Sequence, residues 1–368
     1  MSTSVAETTD LAQRLDRVAV SFSEATVTVL DLVLLGMLRG DWWELERRAR
    51  RGLALRREGG NPVTKADLHA AATSFRYAHD LVSAEDFQNW LRERGIGVGD
   101  LAAYLQRTLL QAGAADESGG TPAVQADPDD ERELAQALWA EAICSGTLAA
   151  LATAAGDLVV AESAVAGAEA EVEGTRQTDV PSDILERAAT DAASGVAARP
   201  GEDLHERLAR LAGLQLAMAR LRTEVAEPEA LARVVAGHGL EWMSVTGTEL
   251  EFATEGAALE ARLLVTVDGL DVESVIRLAG ERCPGAPRPR ELLIADAPPE
   301  LGGVIAAALP GEVVGPWPDG DRHRLLLVAA KRPPSLETSS LRETAIAERL
   351  ADVLRHHGAG RLERPLAL

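Results

Sequence analysis

Glu291-Leu-Leu-Ile-Ala-Asp-Ala-Pro-Pro299, Gly302-Gly-Val-Ile-Ala-Ala-Ala-Leu309, Pro310-Gly-Glu-Val-Val-Gly-Pro316 and His323-Arg-Leu-Leu-Leu-Val-Ala-Ala-Lys-Arg-Pro-Pro-Ser-Leu336 lie in that order near the C-terminus of this 368-residue chain. Short runs of Leu, Ile and Val bounded by Pro and Gly read as strands, and the Ala-rich piece reads as a short helix. The order is therefore strand (291–295), helix (302–309), strand (313–314), turn, strand (323–329). Upstream, Leu240-Glu-Trp-Met-Ser-Val245 and Glu249-Leu-Glu-Phe-Ala253 alternate like strands. Residues 256–267 and 272–280 read as helices, and 281–290 as a Pro- and Arg-rich loop. Downstream, 340–357 reads as a helix and 361–368 as a closing strand.

The N-terminal part has a different rhythm. Residues 17–23 alternate apolar and polar like a short strand, and Thr26-Val-Thr-Val-Leu30 continues extended before a helix over 30–38. Asp41 is the N-cap candidate of a helix reaching Arg57, which Gly59-Gly60 ends. Thr64-Lys-Ala-Asp67 and Ser83-Ala-Glu-Asp86 place an acid three residues after a hydroxyl. That is capping-box spacing, and it opens helices reaching His79 and Arg94. Gly95 stops the second helix. Gly99-Asp100 starts another over 101–110, with Leu101, Tyr104, Leu105 and Thr108 at helical spacing.

Residues 112–130, rich in Gly, Pro, Ser and acid, read as a linker. Ala-rich helix follows over 131–174, with Gly146 and Gly156 as weak points, and another helix over 181–193. Leu204, Leu208, Leu211 and Leu214 mark the stripe of a helix over 204–225. Pro228 sits in the first turn of the next, which ends near Gly237-His238-Gly239. The expected organisation is a helical domain over 1–112, a linker over 113–130 and an Ala-rich acidic helical region over 131–225. An α/β domain over 226–336 and a C-terminal helix and strand over 337–368 complete it.

Hydrophobic residues make up 46% and charged residues 26%, the balance of a globular protein with two or three cores. Aromatics are only 3%, so those cores rest on Ala, Leu and Val. The net charge of −21 is concentrated: residues 116–260 hold 28 acidic and 9 basic side chains. Such a field repels nucleic acid and anionic membrane. It reads as a solvated face, with a dock for a basic partner as the alternative. Cys144 and Cys283 lack any paired or zinc spacing, which fits a reduced cytoplasmic protein, and no metal or cofactor is expected. The first ten residues lack signal-peptide character, and the apolar run 27–38 is too short to span a bilayer.

The N-terminal order, with Val63-Thr64-Lys-Ala-Asp67-Leu68, Phe75-Arg76, Leu81-Val-Ser-Ala-Glu-Asp-Phe-Gln-Asn-Trp90-Leu91 and Gly97-Val-Gly-Asp100-Leu101, resembles the helical peptide-binding domain of SurA-type foldases. In that family the last helix and strand fold back on the N-terminal unit, and Ser340–Leu368 stands in that place. The C-terminal part resembles a parvulin-type (PpiC-related) peptidyl-prolyl isomerase domain. Residues 240–245 and 249–252 stand for strand 1, 256–280 for the first helices and 291–295 for strand 2. Residues 302–309 stand for the next helix, and 313–314 with 323–329 for the last strands. The whole chain is similar to parvulin-related proteins of bacterial systems that mature ribosomally made peptides. The resemblance covers about 15–115 and 225–366 and leaves 131–225 unaligned.

The resemblance implies an α+β, helix-dominated protein: a SurA-like chaperone domain plus a degenerate parvulin-like α/β domain. Active parvulins carry a histidine on strand 1, where this chain has Leu240-Glu-Trp242-Met243 with His238 just outside. The last-strand histidine is matched by His323. The Gly-Gly-x-Leu-Gly signature is replaced by Ala297-Pro-Pro-Glu-Leu-Gly-Gly303. One histidine without its partner does not sustain a buried hydrogen-bond network, so isomerase activity is expected to be weak or lost.

The expected function is a non-catalytic peptide-binding chaperone or scaffold for a precursor peptide or unfolded polypeptide. It would use strand addition or an apolar groove. An active isomerase and an accessory subunit of a peptide-modifying enzyme are the alternatives. Trp242, Met243, Phe252, Trp317 and His323 are the candidate peptide-binding residues, with Trp317 the exposed anchor in a loop. Arg47, Arg48, Arg50 and Arg51 form a basic stripe that is either a face paired with Glu44 and Glu46 or a dock for an acidic partner. No nucleotide, zinc-protease or nucleophile motif is present, so no catalytic residue is assigned.

Overall fold

In the computed structural model, residues 13–23, 25–59, 63–115, 128–169 and 204–363 are described. The centre of the expected linker and the helix expected over 181–193 lie outside them. The protein is α+β and helix-dominated, with two small antiparallel sheets. It divides into two compact units, Met1–Leu221 with Val353–Leu368, and Arg222–Asp352.

Unit 1 begins with β1 (Val18–Phe22) and β2 (Ala25–Thr28), which pair antiparallel with Val20 opposite Val27. The short β7 (Leu362–Glu363) adds to the other side of β1, Leu362 opposite Phe22. Helix α1 (Val29–Arg39) is buried from Val29 to Met37. Asp31, which interrupts the apolar run in sequence, closes a capping box with Thr28 and takes an ion pair from Arg207 at 2.8 Å. A carboxylate is tolerated at 3% exposure because all these partners converge on it.

Helices α2 (Asp41–Arg57), α3 (Lys65–Ala78), α4 (Ala84–Arg94) and α5 (Val98–Ala115) follow. The boxes at Thr64–Asp67 and Ser83–Asp86 both form, each stabilising its helix by about 1 kcal/mol. Asp41 is not an N-cap. Gly40, left-handed at φ +86°, occupies that position between α1 and α2, and Asp41 pairs with Arg39 at 3.0 Å. Helix α5 starts earlier and runs longer than its sequence stripe, and Thr108 is exposed on it.

Helices α6 (Pro128–Cys144) and α7 (Thr147–Glu169) break at Ser145-Gly146, where Gly146 has φ +75°. Gly156 instead lies buried within α7. Their Ile143, Leu148, Leu151 and Val159 join Leu208, Leu211 and Leu214 of α8 (Leu204–Val225) in one core with β1 and α1. Burying each such side chain contributes roughly 1.5–3 kcal/mol. The segment Thr147–Ala166 is, among the described residues, the one helix long and apolar enough to cross a membrane, and about half of it is buried.

Gly52 lets α5 come close to α2: a Cβ there would stand 2.8 Å from the Arg107 Cβ. Beside it Glu141 of α6 takes Arg48 at 3.4 Å and Arg107 at 3.7 Å, with Arg107 and Glu141 both nearly inaccessible. Burial raises the Glu141 carboxyl and lowers the Arg107 guanidinium, in each case opposed by the partner's charge. Burial also pushes the Cys144 thiol up to about 12, so it is an inert packing group.

Unit 2 opens with α9 (Pro228–Gly237), Pro228 in its first turn. Then come β3 (Ser244–Phe252), α10 (Glu255–Thr266), α11 (Val272–Ala279), β4 (Arg288–Leu293), α12 (Pro299–Ala307), β5 (Val313–Asp319), β6 (Arg322–Arg332) and α13 (Ser339–Gly358). The sheet order is β4-β3-β6-β5, all antiparallel. Strand alternation sends Leu250, Phe252, Val313 and Leu325 to one face, under Ala257, Ala258 and Ala261 of α10 and Val275 of α11. It sends Val245, Val314, Leu326 and Val328 to the other, under Ile305 and Ala308 at α12. At the β3–β6 bulge Gly247 is required, since a Cβ would lie 2.3 Å from the Leu327 carbonyl oxygen.

Candidate functional site

The five candidate peptide-binding residues do not form one groove. Residues 240–243, read as strand, form a turn before β3, in which the Trp242 N–H donates to the His238 carbonyl at 2.9 Å. Trp242 is 7% exposed and stacks on the His238 ring, centroids 4.5 Å apart. Phe252 is fully buried under α10 and α11, so it lines no surface. Met243 and Trp317 pack partly buried on the opposite face, at the α12 side. Trp317 is not in a loop: it lies in β5, opposite Arg324 of β6.

His323 stands opposite Phe252 at the far end of the sheet, its Nδ1 buried with no hydrogen-bond partner among the described residues. His238 is at the near end. Its Nδ1 meets Glu241 at 2.9 Å and its Nε2 meets Glu348 at 2.6 Å. Carboxylates only accept, so the ring satisfies both by carrying two N–H groups, as imidazolium. The Glu241 bond raises the His238 pKa, desolvation opposes it, and Glu348 adds to the rise. The length of β3, about 27 Å at 3.4 Å per residue, lies between the ends that His238 and His323 occupy.

The arginine stripe on α2 is largely neutralised. Arg47 pairs with Glu44, Arg50 donates to Glu46 through Nε at 2.8 Å, and Arg48 faces Glu141. Arg56 and Arg57 both bind Glu133 of α6, at 2.7 and 2.9 Å. Of the two readings of the stripe, the paired face describes Arg47, Arg48 and Arg50. Arg51 makes no ion pair among the described residues.

The sequence also places charges at i and i+2 in three strands. Glu249-x-Glu251, Arg288-x-Arg290 and Arg322-x-Arg324 each place both charges on one face. Register brings all six to the α12 side of the sheet, beyond the end that α12 covers. Glu249, 8% exposed, takes Arg324 at 2.9 Å and Arg290 at 3.8 Å. Arg324 also pairs with Asp319, and Arg322 reaches Glu251 at 3.9 Å. Arg288, exposed, makes no ion pair among the described residues.

The two edges of this sheet differ. At β5, Pro316 and Pro318 lack N–H groups, and the Gly315 carbonyl is taken by Arg262 of α10 at 2.7 Å. At β4, residues 288–291 are exposed and, among the described residues, nothing pairs beyond them. The Ile294 N–H donates to the Met243 carbonyl at 3.1 Å. By antiparallel alternation, Leu292, Arg290 and Arg288 turn their main chain toward β3, and Leu293, Glu291 and Pro289 turn theirs outward. Pro289 thus falls where its missing N–H costs the sheet nothing. The free edge offers the N–H groups of Glu291 and Leu293 and the carbonyls around them.

Among the described residues no group of three His, Cys, Asp or Glu is placed to hold a metal ion. No protein-family model and no curated protein matches the chain.

Proposed function

We propose that this protein is a non-catalytic peptide-binding chaperone or scaffold, built of a SurA-like helical part and a degenerate parvulin-like domain. The observation that carries the binding reading is the β4 edge, open among the described residues, beside a closed β5 edge. An extended chain would add there as a fifth strand, held by main-chain hydrogen bonds of about 0.5–1.5 kcal/mol net each. Strand, two helices, strand, helix and two strands succeed one another in unit 2, the order on which the parvulin resemblance rests. The pairing of β7 with β1 supports the SurA-like part. The role in maturing a ribosomally made peptide comes from the resemblance, and a cytoplasmic setting from cysteine usage.

The isomerase alternative has less support, because His238 and His323 stand at opposite ends of the sheet and His238 is held by two glutamates. The test is fluorescence anisotropy with labelled ten-residue extended peptides lacking proline, each compared with its copy N-methylated at alternate residues. Binding that N-methylation weakens tenfold or more is expected. Absence of binding, or indifference to N-methylation, would sink strand addition.

A further inference from the structure

The edge strand has two unlike sides. Toward the α12 face β4 presents Arg288, Arg290 and then Leu292; toward the other it presents Pro289, Glu291 and Leu293. Arg290 is 52% exposed and shares Glu249 with the much closer Arg324, and Arg288 shares no carboxylate among the described residues. The edge strand therefore carries two guanidinium groups on one face of the sheet and one carboxylate, Glu291, on the other. Glu291 accepts the Ser244 hydroxyl at 2.8 Å, which holds it on that side.

We infer that the β4 edge selects an extended segment of a separate polypeptide carrying two acidic residues spaced i and i+2. This rests on the strand-addition reading above and names its ligand. In an added strand, side chains directly opposite β4 stand about 5 Å away on the same face. Acids at i and i+2 share a face and meet Arg288 and Arg290 together. Acids at i and i+1 fall on opposite faces, so one of them meets Glu291. A second copy of this chain is a poor occupant: two β4 strands paired antiparallel about Arg290 would oppose arginine with arginine.

The experiment compares two labelled peptides of identical composition, one with aspartates at i and i+2 and one with them adjacent, at low and moderate salt. They are titrated against the whole protein and against Arg288→Gln and the double variant R288Q/R290Q. Arg288 lacks an ion pair among the described residues and Arg324 still holds Glu249, so both variants keep the fold. The spaced peptide is expected to bind roughly fivefold tighter, a preference lost in the double variant. Equal affinity of the two peptides, with N-methylation still weakening both, overturns the selection and leaves strand addition standing. No binding of either overturns strand addition itself. Salt-sensitive binding that ignores N-methylation means a diffuse charge contact and overturns the edge site. A concentration-dependent dimer in sedimentation, abolished by Glu291→Pro, would make a second copy the occupant and overturn the proposal.

Discussion

Each unit buries a glutamate among arginines, and the surroundings of the two differ. In unit 1, Glu141 sits between Arg48 and Arg107, with Arg107 3% exposed and enclosed by α2, α5 and α6. In unit 2, Glu249 sits as deeply, but its arginines are 22% and 52% exposed and stand on an open sheet face. Charges enclosed by helices are held away from solvent and serve the fold. Charges at the rim of a sheet can trade a partner for water or for an incoming carboxylate. The comparison separates structural charge from charge available for recognition.

Breaking the enclosed cluster is expected to have the largest effect. Glu141→Ala leaves Arg107 buried without its carboxylate and should cost about 3 kcal/mol of stability, read as a lower urea midpoint. A neutral result would mean that water reaches Arg107. The matched change in unit 2, Glu249→Ala, should cost less, about 1–2 kcal/mol, because Arg290 and Arg324 can turn to solvent. Equal losses from the two variants would erase the distinction between enclosed and rim charges.

Smaller again is the pH dependence of unit 2. The His238 pKa is raised by Glu241 and Glu348, so its stabilisation is complete below the unfolded value near 6.5 and fades as pH rises through the higher folded value. Urea midpoints should fall from pH 6 to pH 9 more in the native protein than in His238→Gln. Parallel slopes would show that the two glutamates do not hold an imidazolium. Arg288→Gln should move stability least, within about 0.5 kcal/mol, while lowering affinity for the spaced acidic peptide. A large stability loss there would place Arg288 with the structural charges.

Local signals were legible where local chemistry decides. The hydroxyl-to-acid spacing at Thr64 and Ser83 marked two helix starts, and Gly95 marked a stop, because capping atoms lie within a few residues of one another. Asp31 obeys the same rule with Thr28, but inside an apolar run it reads as an interruption; only Arg207, far along the chain, explains its burial. Pro316-Trp317-Pro318 reads as a loop because proline cannot donate in a ladder. It is a strand because β5 lies at an edge, where that donor is not needed. Leu240-Glu-Trp-Met alternates like a strand yet turns, since Trp242 stacks on His238 and bonds back to its carbonyl.

The candidate site was less legible. Phe252 and Trp242 read as groove residues because they are aromatic, and aromatic character alone does not separate core from surface. The i and i+2 charges stand in the sequence, but their meeting on one face depends on the register of strands far apart in the chain.

The sequence by itself determined the helix-dominated α+β composition, most helix ends and the order of strands and helices in unit 2, because propensity, caps and turn residues act over a few neighbours. Only the tertiary structure decided which arginines are enclosed and which stand free, and that β4 rather than β5 is the open edge. Strand order and burial come from contacts between distant segments, and no local pattern encodes them.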